Sequence, residues 1–162
     1  MAPRGSIGIV GLGFMGTALA RRLLDAGIGV VGTDVNEARA SSFAGMGGQV
    51  VASASDVARA CSIVILAVYD AEQIRQVLQG AAGLLDIMSG QDEALILCTT
   101  TCSPEEISTI AALIEDRRVA FIECPISGAS DQVLSGEGVG LVAGAAEAIE
   151  RVGDLLRILC PR

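Results

Sequence analysis

Apolar residues in this chain fall into short unbroken runs, separated by stretches in which they recur every three or four positions. The runs are Ile7–Val10, Val30–Thr33, Gln49–Val51, Ser62–Val68, Ala94–Cys98, Arg118–Glu123 and Val139–Ala143. Unbroken apolar runs of this length predict strands covered on both faces of a parallel sheet. Helical spacing follows most of them: Ala18, Leu19, Leu23 and Leu24, with Arg21, Arg22 and Asp25 toward water; then 36–40, 55–60, 71–79 and a short helix around Leu84–Met88. Ser103 as N-cap, Pro104 at the first position and Glu106 three after the cap predict a helix start, with the helix continuing to Glu115. Ala129–Gly138 reads as a polar loop, Ala145–Leu156 as a helix, and Arg157–Cys160 as the start of a last strand. Strand alternating with helix predicts an α/β fold with a doubly wound, mostly parallel sheet.

One junction carries chemistry. The first run ends in Gly11-Leu12-Gly13-Phe14-Met15-Gly16, the pattern G-x-G-x-x-G between a strand and a helix. Gly11 can make the turn, Gly13 lets backbone approach a pyrophosphate, and Gly16 lets the helix pack on its strand. The helix start supplies N–H groups and a positive dipole end for the anion. The next run ends in Asp34, placed where a carboxylate would hold the adenosine ribose. Residues 7–34 thus read as one β-α-β unit of a Rossmann-type dinucleotide cradle; the competing reading is a unit whose glycines serve packing alone.

Composition narrows the class. A chain of 162 residues fits one domain with a real core. Its apolar runs fall short of the roughly 18–20 residues that span a bilayer. No charged-then-apolar leader opens the sequence, so a soluble, cytoplasmic protein is expected. The first six residues, with Pro-Arg-Gly-Ser, resemble a cloning remnant and stand outside the fold argument. A net charge of −8 argues against nucleic-acid or anionic-membrane partners. The five cysteines include no C-x-x-C pair and the chain has no His; no metal site is expected, and buried free thiols are the better reading.

Further residues are specific enough to name a resemblance. Gly11–Gly16 is similar to the G-L-G-x-M-G signature of the β-hydroxyacid dehydrogenases, the family of 3-hydroxyisobutyrate dehydrogenase, tartronate semialdehyde reductase and the 6-phosphogluconate dehydrogenases. Thr100-Thr101-Cys102-Ser103-Pro104 stands where that family has S-T-x-x-P. Phe121–Gly128 resembles its F-x-D-A-P-V-S-G, and Leu141–Gly144 its M-V-G-G.

The resemblance implies site residues. Gly11, Leu12, Gly13, Phe14, Met15 and Gly16 would surround the pyrophosphate, and Asp34 with Val35 would hold the ribose. A carboxylate there favours NAD over NADP because it repels a 2′-phosphate. Val68 and Tyr69 would lie along the cofactor, with Gln73 a neighbouring polar contact. Thr101 aligns with the Thr near the nicotinamide ribose; read alone, Thr99–Thr101 would be a strand end with satisfied hydroxyls. Ser127 and Gly128 match the family's substrate-orienting S-G, which read alone would be a turn. Ala129, Asp131 and Gly136-Glu137-Gly138 depart from the family's pattern, as do Cys98 and Cys124.

The family's proton-transfer residue is a Lys on a following all-helical domain, and this chain contains neither Lys nor His. The expectation is therefore an NAD-binding domain, 1–162, of an oxidoreductase. It would pass hydride between the cofactor and a small 3-hydroxy acid or its semialdehyde, be inactive alone, and lack the family's C-terminal catalytic domain. A homodimer through exposed apolar surface is a further expectation. The rivals are a non-catalytic NAD-binding or regulatory module, and an imine- or nucleotide-sugar-type dehydrogenase.

Overall fold

The structure, a computed structural model, describes residues 5–161; of the first six residues, Met1–Arg4 lie outside the described residues. Its first half alternates as the sequence predicts: β1 (Ile7–Val10), α1 (Phe14–Asp25), β2 (Val30–Thr33), α2 (Glu37–Gly45), β3 (Gln49–Val50), α3 (Ala54–Ala60), β4 (Ile63–Leu66), α4 (Ala71–Gln79) and α5 (Leu85–Met88). Then come β5 (Leu95–Cys98), α6 (Pro104–Glu115), β6 (Ala120–Glu123), β7 (Ile126–Ser127), α7 (Ser130–Leu134), β8 (Val139–Gly140), β9 (Ala143–Gly144), α8 (Ala146–Arg151) and α9 (Gly153–Leu159).

The main sheet runs β3-β2-β1-β4-β5-β6-β9, parallel except for the edge strand β9. Order reverses between β1 and β4, so the crevice at their carboxyl ends is where such a sheet takes a ligand. This is the doubly wound architecture expected. Alternate side chains of each buried strand feed opposite layers, as the two-residue period of a strand requires. Ile7, Ile9, Ile65, Leu95 and Leu97 pack under α1, Phe43 and α9, while Val10, Val64, Leu66 and Ile96 pack under α3 to α6.

Helix starts follow their local chemistry. Asn36, Ser53, Asp70 and Ser103 each accept a backbone N–H three residues on. At α6 the predicted cap is complete, with Glu106 reaching back to the Ser103 N–H at 2.9 Å. That hydrogen bond, followed by the Ser103 hydroxyl, holds the Glu106 carboxyl below its ordinary pKa.

The final third differs from the sequence expectation in four places. The loop 129–138 contains α7, because Val133 buries itself against α1's layer and Gln132 Oε1 accepts the Ala129 N–H. The predicted strand 139–143 divides: β8 pairs with β7 in a separate two-stranded sheet, and β9 pairs with β6. Helix 145–156 is broken at Val152, whose backbone (φ −108°, ψ 16°) leaves the helical well. Arg157–Cys160 starts no strand: α9 runs to Leu159, since Val152, Leu155 and Leu159, at helical spacing, all enter the core. A short apolar run such as Ile158-Leu159-Cys160 reads equally as either element until its neighbours are known. Arg22 differs too; it is half-buried, and its guanidinium donates to the carbonyls of Ile158 (2.6 Å) and Leu134 (3.2 Å), joining α1 to α9 and α7.

Candidate functional site

The site begins at the β1–α1 turn, where the three glycines have three different surroundings. Gly11 has φ +96°, and a Cβ there would stand 2.5 Å from the Ala67 carbonyl oxygen beyond β4. A Cβ on Gly16 would stand 1.9 Å from the Gly11 carbonyl oxygen. Both are closed by backbone and must be glycine. Gly13 is open: nothing within 4 Å of its Cβ position except the Arg39 guanidinium at 3.9 Å. Gly11 and Gly16 therefore fix the turn, and Gly13 keeps one face of it clear.

That clear face sits on an uncapped helix. Where α2, α3, α4 and α6 each have a side-chain cap, α1 starts at Gly13 with none and has no acid in its first turn. Its leading N–H groups and dipole end are left for an anion from outside the chain. A pyrophosphate meets both conditions, so the residues present fit a dinucleotide.

Asp34 closes the other side. Its side chain is only 5% exposed and paired with Arg39 at 3.7 Å. One carboxylate oxygen accepts the Leu12 N–H (2.6 Å) and the other accepts the Asn36 N–H (2.8 Å). The carboxylate is thus fixed by the turn it serves. Arg39, missed in the sequence, lies between Gly13 and Asp34. Its signal was its place on the helix that Asn36 caps through the Arg39 N–H. Thr17, also missed, pins the turn by donating its hydroxyl to the Leu12 carbonyl at 2.9 Å.

The remaining predicted residues stand along the same edge of the sheet. Phe14, Val35 and Tyr69 are fully or nearly fully exposed at the ends of β1, β2 and β4. Val68 is half-buried, while Gln73 is committed to the chain itself, its Oε1 accepting the Tyr69 N–H at 3.0 Å. The three threonines after β5 divide. Thr99 and Thr100 are buried and donate their hydroxyls to the carbonyls of Leu66 (2.9 Å) and Val68 (2.8 Å). Thr101 alone is exposed. Ser127 and Gly128, exposed at the end of β7, follow β6; Gly128 takes φ +131°, in the region that favours glycine. Cys98, beneath the threonines, is no nucleophile: burial pushes its thiol up to about 12.

A cavity near the turn, about 590 Å³, is bordered by Leu12, Gly13, Phe14, Arg21, Arg39 and Asp131 among others. It opens between α1, α2 and α7, and none of Asp34, Val35, Val68, Tyr69, Thr101 or Ser127 lines it. The structure joins Asp34 to the turn through the Leu12 N–H, leaves the Val35 side chain exposed, and sets Thr101, Ser127 and Gly128 at the ends of other strands. Among the described residues no His/Cys/Asp/Glu cluster could hold a metal, and no helix is long and apolar enough to cross a membrane.

Comparison with known proteins decides the family. Residues 6–160 match the family described as the NAD binding domain of 6-phosphogluconate dehydrogenase. The chain belongs to that family. L-Threonate dehydrogenase of Cupriavidus necator is 31% identical over 151 residues, 93% of this chain and 50% of that protein. Among solved structures, 3-hydroxyisobutyrate dehydrogenase from Salmonella typhimurium superposes with a TM-score of 0.87 at 28% identity, covering 96% of this chain and 54% of that one. An imine reductase from Myxococcus stipitatus in complex with NAD+ gives a TM-score of 0.89 at 20% identity over 98% and 53% of the two chains, which establishes shared fold alone. The chain spans about half the length of the relatives it matches. It is an NAD-binding domain of that family.

Proposed function

We propose that this domain is the cofactor-binding half of an enzyme that oxidises a small 3-hydroxy acid, or reduces the matching semialdehyde, with NAD in preference to NADP. The observation that carries it is the turn: an uncapped helix and an open Gly13 beside a carboxylate locked by the Leu12 and Asn36 N–H groups. The turn N–H groups and α1 would hold the pyrophosphate. Asp34 would accept from the ribose hydroxyls and, being buried and fixed, would repel a 2′-phosphate. NAD bound there supplies a hydride acceptor for the carbon bearing the substrate hydroxyl. Thr101 would stand near the nicotinamide ribose, and Val68 and Tyr69 along the cofactor. The Ser127 hydroxyl and the Gly128 N–H would orient the acid.

No side chain of these 162 residues is a Lys or His, so in this reading the proton is taken by a residue of a following all-helical domain. With it go two expectations: a homodimer covering the exposed Leu134, Leu141 and Val142, and a cytoplasmic location.

Fluorescence titration of this chain with NADH and NADPH tests the cofactor claim. NADH should bind at least about tenfold more tightly, which is about 1.4 kcal/mol; equal affinities would overturn it. Screening the longer protein against hydroxy acids and cyclic imines separates the substrate classes, and turnover of imines alone would favour the imine-reductase reading.

A further inference from the structure

Two thiols meet away from the cofactor turn. Cys124 leaves β6 just before Pro125, and Cys160 follows the end of α9. Gly140 of β8 lies between them. A Cβ built on Gly140 would stand 3.0 Å from Cys124 Sγ, 3.2 Å from Cys160 Cβ and 3.5 Å from Cys160 Sγ. Both sulfurs therefore border the one space that the missing side chain leaves. Each is a free thiol.

The pair is also asymmetric. Cys124 is 2% exposed, and the neighbouring Cys160 thiol, together with burial, pushes its own thiol well above the ordinary range. Cys160 is half-buried. The neighbouring Cys124 thiol lowers its pKa, with the Arg22 guanidinium helping, against the opposing effect of burial. Arg22 is held there by its 2.6 Å hydrogen bond to the Ile158 carbonyl. An accessible thiol of lowered pKa beside a second thiol is the arrangement of an oxidisable cysteine and its resolving partner. The other buried cysteines lack this setting: burial raises Cys61 to about 11 and Cys98 to about 12.

We propose that Cys160 and Cys124 form a reversible disulfide on exposure to a hydroperoxide. The Cys160 thiolate attacks one peroxide oxygen, the O–O bond breaks, and water leaves from hydrogen peroxide once the leaving hydroxide is protonated. Cys160 is then a sulfenic acid. The Cys124 sulfur, losing its proton, attacks the Cys160 sulfur; the S–O bond breaks and a second water leaves. Two thiols are oxidised by two electrons and one peroxide is reduced. The new bond ties the end of α9 to the segment Pro125–Gly128. This inference is independent of the hydroxy-acid reading, because it concerns two thiols and an oxidant only.

The test is a peptide map of the oxidised protein. The chain is treated with hydrogen peroxide, its remaining thiols are alkylated, and it is digested with trypsin without reduction. The expected result is a linked species joining Val119–Arg151 to Ile158–Arg162, abolished by dithiothreitol and lost in Cys160→Ser. In Cys124→Ala, Cys160 should instead accumulate as a sulfenic acid trapped by dimedone. Wild-type protein in which Cys160 stays reduced, goes to sulfinic acid without a link, or links to Cys98 overturns the proposal. The wild-type map decides alone, so the result stands even where a variant fails to fold.

Discussion

Residues 7–34 and residues 124–160 meet the same edge of one sheet, yet they are built in opposite ways. The first segment is closed by its own backbone. Gly11 and Gly16 admit no side chain, Thr17 holds the Leu12 carbonyl, and Asp34 returns to the Leu12 N–H. The second has strands of two residues and a helix broken at Val152; Leu134, Leu141 and Val142 are exposed in it, as Phe14 and Val35 are in the first. It is held from outside by Arg22, and within itself by a hydrogen bond from the Leu141 N–H to the Pro125 carbonyl at 3.0 Å. A cradle for a shared cofactor has to be finished within the domain.

The comparison breaks most sharply at Gly16. Ala favours a helix interior over Gly by up to about 1 kcal/mol, which alone would predict a gain for Gly16→Ala. The added Cβ would meet the Gly11 carbonyl oxygen at 1.9 Å, and no rotamer can relieve a backbone contact. Overpacking therefore wins, and we expect a net loss of about 2 kcal/mol or more. NADH binding should be lost with it, because the turn must move. Urea denaturation with NADH titration checks both, and an unchanged variant would mean that the turn is not closed by its backbone.

A smaller effect is expected at Asp34. Asp34→Ala removes the acceptor of two N–H groups, that of Leu12 beside the buried turn among them. An N–H left unsatisfied there costs about 1–3 kcal/mol. The same change frees Arg39, now paired with Asp34, to meet a 2′-phosphate, so NADPH should gain on NADH by about tenfold or more. Titrating the variant with both cofactors checks this, and an unaltered ratio would show that preference is set elsewhere.

The same contrast explains what the sequence disclosed. In residues 7–34 and at the cap Ser103-Pro104-Glu105-Glu106, structure follows from chemistry within a few residues, so spacing sufficed. The triplet Thr99–Thr101 was only half legible, because partners across β4 decide which hydroxyls are used. Arg39 could be placed on a helix but not beside Asp34, since their meeting depends on how α2 leaves β2. Beyond Pro125 the apolar runs were visible while their elements were not. Ile158-Leu159-Cys160 is compatible with strand or helix, and only burial of Val152, Leu155 and Leu159 under α1's layer settles it. Tertiary context overrode local pattern there.

The smallest expected effect sharpens the contrast at Leu141, which is 63% exposed. Its backbone N–H makes the structural contact, to the Pro125 carbonyl, and a serine retains it. Leu141→Ser should therefore change the stability of this chain by no more than about 0.5 kcal/mol, as for an ordinary surface position. A urea midpoint measures it. A loss above about 1 kcal/mol would show that the segment after Gly138 is packed against the domain rather than resting on it. In a longer protein whose following domain covers Leu141, the same substitution removes buried apolar area, worth about 25 cal/mol per Å², so the penalty should reappear there. Comparing the two midpoints thus separates a surface that is merely apolar from one that is finished by another part of the enzyme.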